Sequence, residues 1–544
     1  MERNRTLALA HLWTAFTVFL AAIVLGVWQM LMRSPLPAPF DRPNAYYASV
    51  TAHGSIMAYV FPTLFAMGFG YAIADSAREG RMTGRRAAWI GYFLLLCGFL
   101  MAVIPIGMGQ ASVLYTFYPT LIGSPWYYLG ITLVLVGSYV WVALMVLNMR
   151  AWKRDHPGAT VPLSLFAITV CAMLWGWTGI GVTSEVLFQI LPVAFGFRHT
   201  IDAGLARTLF SLTLHSIVYF WLIPTYIAYY TMMPQAAGGR LYSDTMGRVA
   251  FILFLVFSMP VGLHHLMMDP EHGSGIKFVQ SLLTFMVVLP TLLTVYTITA
   301  SLEIAGRLRG GTGRLGWIKR IPWKEPMVLA VGLSLGLLGP GGFGGIINMS
   351  FAMNAMIHNT AWVTAHFHLI FGGAVVTTYF AIAYELWPRL TGKPLFSKRM
   401  ACIQLWLWFW GILILTVPWH IAGLLGQPRR YAIFDYSDPV VARTAPLVDM
   451  SVVGGFVLLA SVCCFSYILV RSSVGQPTTV LSPERYSLTI NPPRRVAPLL
   501  NDLGFWNAIL FSLLLISYAY PVASFFFLHH QNAPGYSLTR ELSR

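Results

Sequence analysis

An all-α, polytopic membrane protein of about thirteen transmembrane helices is what this sequence predicts. Three observations carry that expectation. Of 544 residues, 57% are hydrophobic and only 10% are charged, where a soluble domain carries roughly 25% charged residues. The apolar residues gather into stretches of about 20 or more, long enough to cross a bilayer. The basic residues crowd into alternate loops. Bounded by charges, prolines or glycines, the spans fall at about 7–32, 45–74, 87–110, 124–149, 161–192, 204–232, 246–267, 275–306, 326–352, 360–388, 400–425, 447–471 and 503–528. A soluble enzyme, a nucleic-acid-binding domain and a disordered regulator are excluded by the same composition.

The first span follows Arg3 and Arg5, exceeds a signal peptide's apolar region and precedes no small-residue cleavage site, so it reads as a retained helix. With the N-terminus inside, 25 of the 35 Lys and Arg residues fall on inner segments. That asymmetry predicts a cytoplasmic N-terminus and an outside C-terminus. It also accounts for the net charge of +16 without nucleic acid, as a topogenic signal facing anionic lipid. No second domain is indicated. Residues 1–544 read as one membrane domain, with 472–502 a long inside loop rich in proline and arginine. The five cysteines (Cys97, Cys171, Cys402, Cys463, Cys464) show no C-x-x-C spacing and sit in apolar runs, which predicts buried, unreactive thiols.

Ionisable residues inside a membrane are costly and so point to function. His53, His215, His264, His265, His366 and His368 all fall in the outer third to half of the bilayer at a 1.5 Å rise per residue. Four helices thus bring imidazoles to one layer. Imidazole suits copper, iron and zinc, and the scarcity of carboxylates at this depth favours redox metals over a hydrolytic pair. Residues two apart on a helix point about 200° apart, so His366 and His368 should serve two centres. His264 and His265, near Pro260 and Gly262, can share one ion if the last helical turn loosens.

The segments T-A-H-G (51–54), H-S-I-V-Y (215–219), V-G-L-H-H (261–265) and H-N-T-A-W-V-T-A-H-F-H (358–368) resemble the metal-binding helices of subunit I of the heme–copper terminal oxidases, the cytochrome c oxidase type, nearest the B-type branch. The likeness extends through M-P-Q-A-A-G-G-R-L-Y-S-D (233–244) and S-L-E-I-A-G-R-L-R-G-G (301–311). It implies two hemes and one copper ion. His53 and His368 would ligate a low-spin heme iron, His366 a high-spin heme iron, and His215, His264 and His265 the copper. Tyr219, one turn beyond His215 on the same helix face, would be the tyrosine that the family cross-links to its copper-ligand histidine. Arg429 and Arg430 match an arginine pair that clamps heme propionates, and His358 and Asn359 are placed to join them.

The activity implied is four-electron reduction of oxygen to water with electrons from a cytochrome c-type or cupredoxin donor. Proton uptake from the cytoplasm and outward pumping would accompany it, in a bacterial or archaeal cytoplasmic membrane. With no cupredoxin-like segment or C-x-x-x-C motif here, the likeness also implies a partner subunit II carrying a two-copper entry centre. Two hydroxyl stripes descend inward, Tyr219, Tyr226 and Tyr230 on the sixth span and Thr284, Thr291, Thr294 and Thr297 on the eighth. They can hold a water chain, or simply bond nearby backbone carbonyls.

The alternatives are a nitric-oxide reductase of the same superfamily, which would put glutamates near the metals and lack the tyrosine, and a secondary transporter with a histidine proton relay. Three positions stand apart. Ser216 replaces the branch's usual proline and should relax the helix kink. Asn354 stands where an aspartate is common. Glu185, within the fifth span, is expected to hydrogen-bond a neighbouring helix.

Overall fold

The computed structural model describes residues 2–39, 42–119, 121–475, 489–491 and 496–527. Among the described residues, twelve helices are long and apolar enough to cross a membrane: Asn4–Arg33, Pro43–Ala77, Arg85–Gly107, Pro125–Asp155, Leu163–Ala194, Ala203–Ala236, Ser274–Leu308, Pro326–Met349, Ala361–Thr391, Lys398–Leu424, Ala445–Ser473 and Leu503–Phe527. Each answers to one expected span. The remaining one, 246–267, is shorter than expected: a regular helix Asp244–Phe257, then a 3-10 turn Gly262–Leu266. Met259-Pro260 interrupts it, since proline supplies no N–H to continue a helix. The loosened turn carries His264 and His265. Spans are numbered below in chain order, with this segment as the seventh.

Several helices start where a side chain satisfies an otherwise orphaned N–H. Asp202 accepts from the Leu205 N–H at 2.9 Å, Ser243 from Met246 at 3.2 Å and Ser397 from Met400 at 3.2 Å. Three spans widen into π-helical turns, at Ile56–Val60, Val186–Ile190 and His368–Val375. The first lies just below His53 and the last opens at His368, so wide turns flank the histidine layer, as they often do at functional sites. The eighth span is jointed at Val287, between Ser274–Met286 and Val288–Leu308.

Leu241–Ser243 pairs in parallel with Thr489–Asn491, a two-stranded ladder that the loop composition did not announce. Most of the expected loop 472–502 lies outside the described residues. The burial expected of all five thiols is corrected. Only Cys171 is buried, Cys402 and Cys464 are partly covered, and Cys97 and Cys463 are exposed. An apolar run identifies a membrane helix but not which of its faces meets lipid.

The second, fifth, sixth and tenth spans are the most enclosed, while the eighth and the last lie at the periphery. Three of the four histidine-bearing spans, the second, sixth and tenth, thus lie at the centre of the bundle.

Candidate redox-metal site

A cavity of about 1050 Å³ runs through the bundle centre, and His53, His215, His264, His265, His366 and His368 all line it. It lies at or above the top of the roughly 300–1,000 Å³ range of ordinary ligand pockets. The six imidazoles fall into three sets.

His53 and His368 face each other across the cavity, ring centres 6.2 Å apart and planes inclined by 19°. Each Nδ1 is bonded to a backbone carbonyl, that of Ala22 at 2.8 Å and that of Thr364 at 2.8 Å. The ring proton is thereby committed to Nδ1, leaving the Nε2 lone pair for a metal. With metal–nitrogen bonds of about 2 Å and each ring centre about 1.1 Å behind its nitrogen, an ion between two imidazoles holds the ring centres roughly 6 Å apart. The observed spacing fits two imidazoles sharing one metal ion.

His366, two residues before His368, turns the other way. It stacks on Trp362 (5.8 Å, 14°) and packs against Gly344 of the ninth span, where a methyl group would collide with its Nδ1. That Nδ1 is buried without a hydrogen-bond partner. One helix therefore sends imidazoles in two directions, one opposite His53 and one singly into the cavity.

His215, His264 and His265 form the third set, with ligand nitrogens all within 4.8 Å of one another. Ring centres are 4.6 Å apart for His215–His264 and 4.3 Å for His264–His265. Nε2 of both His215 and His265 is buried and unpartnered. Such orphaned buried acceptors are costly unless something binds them. Thr284 orients the third ring. Its hydroxyl hydrogen goes to the Gln280 carbonyl at 2.7 Å, so its oxygen accepts from His264 Nδ1 at 3.1 Å. Nε2 of His264 is then the free donor atom. Three neutral imidazoles suit copper. The 3-10 turn reaches the sixth span because Gly262 lies against the Ser211 carbonyl, leaving no room for a side chain.

Tyr219 lines the cavity with its ring centre 5.0 Å from that of His215. Below it, Tyr226 and Thr291 also line the cavity, and the Tyr226 hydroxyl is buried without a partner. Tyr230 donates to Thr294 at 3.2 Å. Thr291, Thr294 and Thr297 each return their hydrogen to the carbonyl four residues back, which leaves each oxygen able to accept. Thr284 stands apart from the stripe expected of it, across the Val287 joint and bonded to His264.

At one rim, Arg429, Arg430, His358 and Asn359 line the same cavity. Burial, then the neighbouring Arg430, pushes the Arg429 guanidinium down to about 10. Burial and both arginines push His358 down to about 4. Arg429 Nε is buried without a partner, and Arg430 takes the left-handed conformation at φ 66°, a strained state that persists where surroundings fix it. This crowding of positive charge suits carboxylates such as propionates.

Sequence reasoning missed Arg33, the last residue of the first span. It is 4% exposed and donates to the Pro428 carbonyl at 3.0 Å and the Tyr431 carbonyl at 3.2 Å, either side of the arginine pair. It also lies over Phe434 at 4.8 Å. An arginine closing an apolar run reads as an ordinary span flank, and its partners stand almost 400 residues away.

Two expectations are corrected. Both carboxylate oxygens of Glu185 are buried without a hydrogen-bond partner among the described residues, so the expected bond to a neighbouring helix is not seen there. Ser216 does not relax the kink. The span still breaks at His215, between Ala203–Leu214 and Ser216–Thr231. Asn354 is buried, donating to the Asn348 carbonyl at 2.6 Å and facing His358 at 3.0 Å.

The chain is also similar to known proteins. A family model described as Cytochrome C and Quinol oxidase polypeptide I matches residues 6–457. Cytochrome c oxidase subunit 1 of Thermus thermophilus is 39% identical over 505 residues, covering 91% of this chain and 89% of that relative. The heme-copper oxidase subunit I+III of Aeropyrum pernix is 26% identical over 521 residues, covering 90% of this chain and 60% of the relative. A cryo-EM structure of a heme-copper terminal oxidase dimer superposes with a TM-score of 0.91 at 31% identity, covering 96% of this chain and 93% of that one. The chain therefore belongs to the cytochrome c and quinol oxidase polypeptide I family, as the catalytic subunit of a membrane-bound heme–copper terminal oxidase.

Proposed function

We propose that this chain binds one low-spin heme between His53 and His368, one high-spin heme on His366, and one copper ion on His215, His264 and His265. The observation that carries this reading is the division of six imidazoles along one cavity into a facing pair, a single ring and a tight triad. When bound, these groups supply electron transfer and the reduction of oxygen to water.

The chain's own residues do the rest. Backbone carbonyls and Thr284 fix the ring tautomers, so the nitrogens meet the metals without reorganising. Tyr219 holds a phenolic proton beside His215, where oxygen is consumed. Tyr226, Thr291, Tyr230, Thr294 and Thr297 carry protons toward it from the cytoplasmic side. Arg429 and Arg430, with His358, Asn359 and Arg33 around them, balance the heme carboxylates. The orientation follows the basic residues, N-terminus in the cytoplasm and C-terminus outside, with residues 1–544 as one membrane domain. Electrons arrive from a cytochrome c-type or cupredoxin donor through a subunit II with a two-copper centre, and part of the proton traffic is pumped outward.

The test is a metal and heme count on the purified complex with a reduced-minus-oxidised spectrum. After allowance for subunit II, one copper per two hemes is expected from this chain. Non-heme iron in place of that copper would overturn the reading in favour of a nitric-oxide reductase. A flat heme spectrum would overturn it entirely.

A further inference from the structure

The sixth span is broken at His215 although no proline stands at the break; Pro224 lies nine residues further on, inside a continuous helix. What stands there is Ser216, which is 1% exposed. Its hydroxyl donates to the Leu212 carbonyl at 2.6 Å and lies 3.4 Å from that of Thr213. A serine bonded back to the carbonyl four residues earlier competes with the backbone for that acceptor and bends the helix. Beyond the break the chain tightens, the Val218 N–H reaching only to the His215 carbonyl at 3.2 Å.

The residues just before the break are fastened elsewhere. Thr213 donates to the Thr178 carbonyl at 2.7 Å and accepts from the Val182 N–H at 2.8 Å, tying it to the fifth span. The Ser211 carbonyl lies against Gly262, on the turn that bears His264 and His265. His215 keeps right-handed helical dihedrals (φ −88°, ψ −43°) and marks a lapse in the span's regular helix, between a segment clamped to its neighbours and the helix Ser216–Thr231.

We propose that Ser216 is a positioning residue for His215: its hydroxyl keeps the helix open at this lapse and so aims the imidazole at the point shared with His264 and His265. The proposal rests on His215 as a copper ligand.

The test compares Ser216→Ala, Ser216→Thr and Ser216→Pro in the purified complex. Copper retained per heme is counted after dialysis against a chelator, and the infrared stretch of carbon monoxide on copper is recorded after photolysis from heme. The alanine variant should hold copper about 10-fold more weakly, as when a residue behind a metal ligand is lost, and shift the carbon monoxide band. Threonine keeps the hydroxyl and proline blocks the helical bond by lacking an N–H, so both should restore the wild-type copper content and band. If the alanine variant does not assemble, Ser216→Thr against Ser216→Val asks the same question of the hydroxyl alone. Wild-type copper content and band in the alanine or valine variant would overturn the proposal. So would a proline variant that carries both hemes yet loses copper. His215→Ala separates the two readings: copper retained there refutes the ligand assignment, whereas copper lost there but held by Ser216→Ala refutes only the role of Ser216.

Discussion

Replacing Thr284 with valine tests the copper site through a single hydrogen bond. Valine keeps the shape and removes the oxygen that accepts from His264 Nδ1. Without metal, the imidazole can exchange tautomers or turn, and the loss is absorbed. With copper on Nε2, the ring must hold its Nδ1 proton against a methyl group in a buried setting. An unsatisfied buried donor costs about 1–3 kcal/mol, which is roughly 5- to 140-fold in binding. The whole cost falls on the metal-bound form. A chelator titration with copper counted per heme measures it, and Thr284→Ser, which keeps the oxygen, should bind as the wild type does. Equal copper affinity in Thr284→Val and wild type, alongside loss of copper in His264→Ala, would refute the reasoning. The outcome also separates the two roles open to this residue, because a purely proton-carrying Thr284 would slow turnover without loosening copper.

Three other outcomes follow from the geometry. Gly344→Ala puts a methyl group against His366 and should abolish the high-spin heme signal while the His53–His368 spectrum persists; an unchanged high-spin spectrum would show that the ring has room. Arg33→Met removes donors to two carbonyls flanking the arginine pair and should destabilise the outer loop by about 1–3 kcal/mol, seen as a lower unfolding temperature and faster loss of the low-spin heme. Tyr226→Phe should depress turnover most at high pH, where protons are scarce; turnover equal to wild type at high pH would remove Tyr226 from the proton path.

The spans were legible because crossing a bilayer demands long apolar helices, and the residues at their ends declare themselves. The seventh was overestimated in regularity: its apolar run continues through Met259-Pro260, and hydrophobicity says nothing of whether the backbone there stays helical. The histidine sets were legible in their direction, since the two-residue step between His366 and His368 fixes opposite headings whatever else the fold does. Arg33 was hidden because its meaning lies in carbonyls of a distant loop. Ser216 misled for a different reason. Proline is one way to break a helix, but a hydroxyl bonded to its own chain is another, and only coordinates show which carbonyl it has taken. Glu185 shows the converse: a carboxyl in an apolar span promises a partner that packing need not provide.

The Arg33 bridge also bears on how the molecule is made. One wall of the His53–His368 pocket emerges from the ribosome among the first 53 residues and the opposite wall only at residue 368, while the roof at Pro428–Tyr431 comes later still. Domains generally fold as units during synthesis, but this pocket has no complete form until four-fifths of the chain exists. The early helices must therefore wait in the membrane with an open seam.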